Sequence, residues 1–96
     1  VISTTAPRGV VRLLNTTGGR LLCLAGEVDD QAVEAFRTRY GREPARVDAI
    51  ETGSVTRLTP AALDLLLEHL GAAEAAGRPV TVRRSPEVER LLAAHR

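Results

Sequence analysis

Ninety-six residues, 44% of them hydrophobic and 26% charged, suffice for one domain with a buried core and are too few for two. Thirteen basic residues against twelve acidic ones leave a formal charge of +1, which excludes a long-range field drawing the chain to nucleic acid or anionic lipid. The single cysteine, Cys23, allows neither an internal disulfide nor a cysteine-based metal cage, and no apolar run reaches the length of a membrane span. The opening "VISTTAPRG" lacks the basic-then-apolar layout of a signal peptide. A cytoplasmic protein without direct membrane insertion is the expectation.

Residues 1–9 mix Ser, Thr, Pro and Gly without periodicity and read as a flexible N-terminal arm, with a single domain over 10–96. "VVRLL" and "RLLCLA" are strand-like runs separated by Asn15-Thr16-Thr17-Gly18-Gly19, whose Asn and paired Gly can supply the positive φ of a tight turn, so the two form an antiparallel hairpin. After Gly26, either Asp29 or Asp30 can cap a helix over 30–40, in which Val33, Phe36 and Tyr40 recur at helical spacing and which Gly41 is placed to end. "RVDAIET" reads as a third strand, although Asp48 interrupts the apolar run of a parallel strand buried on both faces.

The stretch "SVTRLTPAAL" then carries a strand signal into a helix start with almost no loop. Thr59 suits the N-cap and Pro60 the first helical position, where its missing N–H costs nothing. From Pro60 to Ala76, Leu63, Leu66, Leu67, Leu70 and Ala73 follow the i, i+3, i+4, i+7 pattern, and Gly77 can stop the helix. "PVTVR" supplies a fourth strand, and Ser85-Pro86-Glu87 opens a last helix with Val88, Leu91, Leu92 and His95 on one face. Right-handed crossovers make the later strands parallel. The predicted fold is α/β: a four-stranded mixed sheet with an N-terminal antiparallel hairpin and three main helices.

Catalytic and metal signals are weak. His69 and His95 lie on different helices without a second ligand at metal spacing and read as packing or helix-end residues. Ser54 and Ser85 have only turn and cap contexts, and no G-x-S-x-G occurs. Glu27, Asp29 and Asp30 serve capping and the helix dipole first. Arg37, Arg39, Arg42 and Arg46 read as a solvated face, because one Phe and one Tyr are too few to stack bases. Neither an enzyme, a cofactor, a metal nor a nucleic-acid partner is expected. Beside the main stripe of the 60–76 helix, Leu65, His69, Ala72 and Ala76 form a second flank, which means either burial between two layers or an exposed patch awaiting a partner.

The element order, with "LAGEVD" at 24–29, "SVTRLTPAALDLLL" at 54–67 and the closing "GRPVTVRRSPEVERLL", resembles the STAS domain of sulfate transporters and anti-sigma factor antagonists over nearly the whole chain. Gly26-Glu27-Val28-Asp29 is similar to the family's "GELD", and Val55-Thr56 followed by Leu58 to its approach to the second helix. Regulatory members continue with Asp-Ser-Ser/Thr-Gly, whose first serine is phosphorylated by a partner kinase. Here Thr59-Pro60-Ala61-Ala62 occupies those places: Pro60 has no hydroxyl and Ala62 replaces the glycine. Arg57 and Glu51 depart from the family as well, which marks a divergent member.

The resemblance implies the STAS-like fold and a non-enzymatic, bacterial protein-binding module resembling an anti-sigma factor antagonist, without the usual serine switch. It implies a partner surface at the start of the second helix, made of Glu27, Asp29, Thr59, Pro60, Ala61, Ala62, Leu65 and His69, for a protein such as an anti-sigma factor kinase. Three alternatives stand beside it: an antagonist phosphorylated at Thr59, or at the neighbouring Ser54 or Thr56; an accessory STAS subunit bound to the ATPase of a lipid-transport ABC complex; and a regulatory domain of a longer polypeptide.

Overall fold

Alternating side chains and a tight turn set the first two elements. The computed structural model describes residues 8–95. Strand β1 (Gly9–Thr16) and strand β2 (Gly19–Val28) pair antiparallel, from Gly9 opposite Gly26 to Thr16 opposite Gly19, around the two-residue turn Thr17-Gly18. The positive φ of this turn falls on Gly19, at 127°, while Asn15 stays within β1. The strand begins one residue inside the arm expected over 1–9; residues 1–7 of that arm lie outside the described residues.

Helix α1 (Asp30–Tyr40) is capped by Asp29, whose Oδ1 accepts from the Ala32 N–H at 2.9 Å, and Gly41 ends it by donating its N–H to the Arg37 carbonyl at 2.8 Å. Strand β3 (Ala49–Leu58) starts later than "RVDAIET" and runs on through "SVTRL", so that only Thr59 separates it from helix α2 (Pro60–Ala75). Asp48 stands outside the strand and joins three of them. Its N–H donates to the Arg20 carbonyl at 2.8 Å, its Oδ2 accepts from the Arg20 N–H at 2.9 Å, and its carbonyl accepts from the Thr81 N–H at 3.3 Å. Strand β4 (Thr81–Arg84) leads into helix α3 (Pro86–Ala94), capped by the Ser85 hydroxyl, which accepts from the Val88 N–H at 3.2 Å.

The sheet order is β1-β2-β3-β4, with β2, β3 and β4 parallel. Two right-handed crossovers stepping in the same direction put α1 and α2 on one face. The core confirms this arrangement, because Leu22 and Leu24 of β2, Ile50 of β3, Phe36 of α1, Leu66 of α2 and Val88 of α3 belong to a single buried cluster. No described element covers the opposite face of the sheet, where Leu14 is 39% exposed. The described residues therefore form two layers, a mixed four-stranded sheet and three helices.

Helix α2 is rotated from its expected setting. Leu65, Leu66 and His69 are buried, whereas Leu63, Leu67 and Leu70 are only partly so. A helix bearing leucine on most of its circumference has a weakly defined apolar stripe, and the neighbours it meets choose the face.

Candidate partner-binding rim

The carboxyl ends of β2 and β3 lie side by side, with Val28 paired to Leu58, and each strand passes at once into a helix. The Thr59 N–H donates to the Val28 carbonyl at 3.1 Å, which extends the ladder by one bond. The Thr59 hydroxyl donates to Asp30 Oδ1 at 2.8 Å and accepts from the Ala62 N–H at 3.4 Å. Both helix starts, with their unpaired backbone N–H groups, thus open on one edge. Arg8 closes the rim on the hairpin side: its carbonyl accepts from the Glu27 N–H at 3.0 Å and its guanidinium lies 3.8 Å from the Glu27 carboxylate.

Five of the residues expected at a partner surface come together here. Pro60 is exposed, and Glu27, Asp29, Thr59 and Ala61 are half-buried. The other three do not join them. Ala62 and Leu65 are fully buried and His69 is 2% exposed, so the part of the flank that carries Leu65 and His69 faces the core, while Ala72 and Ala76 are exposed. The cause is the rotation of α2, which lays the buried part against Phe36 and the 41–48 loop. The His69 ring meets Phe36 edge-on at 6.0 Å. Its Nδ1–H donates to the Leu65 carbonyl at 2.8 Å and its Nε2 accepts from the Ala45 N–H at 3.1 Å. Burial pushes the His69 pKa down, Arg37 adding slightly to that, against the raising effects of the Leu65 carbonyl and Glu68. His69 is a neutral core residue, and Leu65→Arg would unfold the domain rather than probe docking.

Thr59 is engaged on both sides. A phosphoryl group on its oxygen would replace the hydrogen now shared with Asp30 and set about two negative charges against that carboxylate. Ser54 and Thr56 are exposed on β3. Of the arginine-dense segment, Arg39, Arg42 and Arg46 are exposed as expected, and Arg37 is not. The Arg37 guanidinium bonds the Glu68 carboxylate at 3.1 Å and the Arg42 carbonyl at 3.0 Å, with its side chain only 13% exposed. Arg42 pairs with Glu34 at 3.0 Å, and Arg39 lies over the Tyr40 ring.

An open groove of about 1080 Å³ between β1 and α1 reaches the rim at Arg8 and Asp29 and has Val11, Leu13, Phe36 and Tyr40 along it. Nothing in the sequence reading singled it out. The one available signal was that "VVRLL" carries more apolar residues than one short helix can cover. Among the described residues, no group of three or more His, Cys, Asp or Glu side chains is arranged to hold a metal ion, and no helix is long and apolar enough to cross a membrane. No known protein family matches the chain, and no curated protein matches it.

Proposed function

We propose that this protein is a non-enzymatic binding module of the STAS-like kind, which holds a protein partner at the rim formed by Glu27, Asp29, Thr59, Pro60 and Ala61. The observation that carries the reading is the convergence of two helix starts on the carboxyl edge of β2 and β3, with Pro60 exposed and Ala61, Glu27 and Asp29 half-buried. Small apolar residues ringed by polar ones make a docking patch, and the partner's gain comes from covering them. The resemblance to anti-sigma factor antagonists names the kind of partner: an ATP-binding anti-sigma factor, held in competition with its sigma factor.

This reading makes binding constitutive. The position of the customary serine is Pro60, and Thr59 spends its hydroxyl on capping α2 and on Asp30. A phosphorylated antagonist would need Thr59 to give up the bond it donates to Asp30.

Affinity purification with the intact chain from native cells, followed by identification of the retained protein, tests the proposal. An ATP-binding anti-sigma factor that is retained by the native chain and lost with Pro60→Arg or Glu27→Arg supports it. Recovery of a membrane ATPase instead establishes the accessory-subunit reading. Unchanged retention of the anti-sigma factor by both folded variants overturns the placement at the rim. Phosphate on Thr59, Ser54 or Thr56 after incubation with the retained protein and ATP overturns constitutive binding.

A further inference from the structure

We infer that the uncovered face of the sheet is an interface for a second copy of this chain, stacked sheet on sheet about a two-fold axis parallel to β2. The face is opposite to the helices and separate from the rim, so the inference stands apart from the proposed function.

The register defines the face. Val10 pairs with Ala25, Arg12 with Cys23 and Leu14 with Leu21 across the hairpin, and Ala49 and Glu51 continue the last two rows on β3. None of these side chains belongs to the core cluster or packs against it. "RLLCLA" is nonetheless apolar at every position after its arginine, which is the pattern of a strand covered on both faces. Leu22 and Leu24 meet the helices, while Leu21, Cys23 and Ala25 are half-buried with no described element above them. An exposed apolar strip of this kind marks an association surface.

Charge and size select the occupant. One row across the sheet reads Arg12, Cys23, Glu51, Arg83, with the exposed Arg83 Nε 3.9 Å from the Glu51 carboxylate. Burial together with Glu51 raises the Cys23 pKa while Arg12 lowers it, as expected for two opposite charges flanking one thiol. Arg12 has no ion-pair partner among the described residues. Rotation by a half turn about an axis along β2 leaves Cys23 over its own copy and carries Arg12 over the copy's Glu51, twice by symmetry. The next row behaves alike: Leu14, the exposed large hydrophobic side chain, comes over the small Ala49 of the other copy, and Leu21 over Leu21. A two-fold axis across the strands would instead put Arg12 over Arg12 and Glu51 over Glu51, which like-charge repulsion forbids. The self-complementarity is that of an isologous interface, at the aligned angle of stacked twisted sheets.

Sedimentation equilibrium of the intact chain, with and without charge reversal, tests the inference. The native chain is expected to associate to twice its 10.3 kDa mass in the micromolar range. Arg12→Glu and Glu51→Arg should each weaken the dimer by about tenfold or more, and the double variant should restore it to within about threefold. Because Glu51 also accepts from the Gly53 N–H at 2.6 Å and lies 3.9 Å from the Arg83 guanidinium of its own chain, Leu14→Asp serves as a second disrupting variant that leaves both contacts in place. A chain that stays monomeric at several hundred micromolar overturns the inference, and so does a dimer that the charge-swapped double variant fails to restore.

Discussion

The Thr59 hydroxyl donates to Asp30 Oδ1 at 2.8 Å while accepting from the Ala62 N–H, so one side chain caps α2 and ties it to the first residue of α1. Thr59→Ala removes the cap and leaves Asp30 to water, at a cost of about 1–2 kcal/mol. Thr59→Ser keeps both bonds and should lie within about 0.5 kcal/mol of the native chain. Urea unfolding measures the difference. Equal midpoints for the two variants would show that the hydroxyl does not join the helices.

Gly26 sits at φ 75° in the row that opens the hairpin, opposite Gly9. A Cβ there would lie 2.3 Å from the Arg8 carbonyl oxygen, a backbone atom that cannot yield without breaking the bond it accepts from the Glu27 N–H. Gly26→Ala combines this clash with an unfavourable dihedral, and the expected loss is about 2–5 kcal/mol. Thermal unfolding checks it. Gly71, whose added Cβ meets nothing, is the control, since Gly71→Ala in the interior of α2 should gain up to about 1 kcal/mol.

Asp48 separates hydrogen bonding from charge. Its carboxylate accepts from the Arg20 N–H at 2.9 Å, whereas the Arg78 guanidinium is 4.0 Å away on a partly exposed surface. Asp48→Asn keeps an acceptor oxygen and should cost no more than about 0.5 kcal/mol. Asp48→Ala leaves the Arg20 N–H to solvent and should cost about 1 kcal/mol. Guanidinium-induced unfolding of both variants decides, and equal losses would make the charge the stabilising feature.

Local chemistry made much of this fold legible. The hairpin, the caps at Thr59 and Ser85, and the stop at Gly41 each follow from residues within a few positions of one another, while the structure chooses Asp29 over Asp30 as the first cap and tightens the hairpin turn to Thr17-Gly18. The setting of α2 was not legible, because Leu63, Leu65, Leu66, Leu67 and Leu70 offer apolar surface in nearly every direction. Phe36 and Ala45, distant in sequence, decide that Leu65 and His69 turn inward. For the same reason three of the eight expected rim residues are core residues. The open sheet face was hidden too, since a continuous apolar strand looks the same with one covering layer or two.

His69 couples the fold to pH. The Leu65 carbonyl can only accept, so Nδ1 carries the proton, and Nε2 must be bare to accept from the Ala45 N–H. The ring is therefore held neutral, with its pKa pushed below the ordinary histidine value by burial. In the unfolded chain the same ring takes up a proton at higher pH, so the unfolded state binds more protons within that window. The stabilisation is fully present above the unfolded value of about 6.5 and is lost as pH falls from there through the folded pKa. Unfolding midpoints should drop between pH 7 and 5 more steeply for the native chain than for His69→Leu, even though the variant is less stable at pH 7 for want of a partner to the Ala45 N–H. In a carbon- and nitrogen-resolved NMR titration the Ala45 amide should move with the midpoint of the His69 ring, as Arg37 and Glu68 stay paired beside it. Parallel pH profiles for the two proteins, or an Ala45 amide that ignores the ring, would remove His69 from the 41–48 loop's attachment.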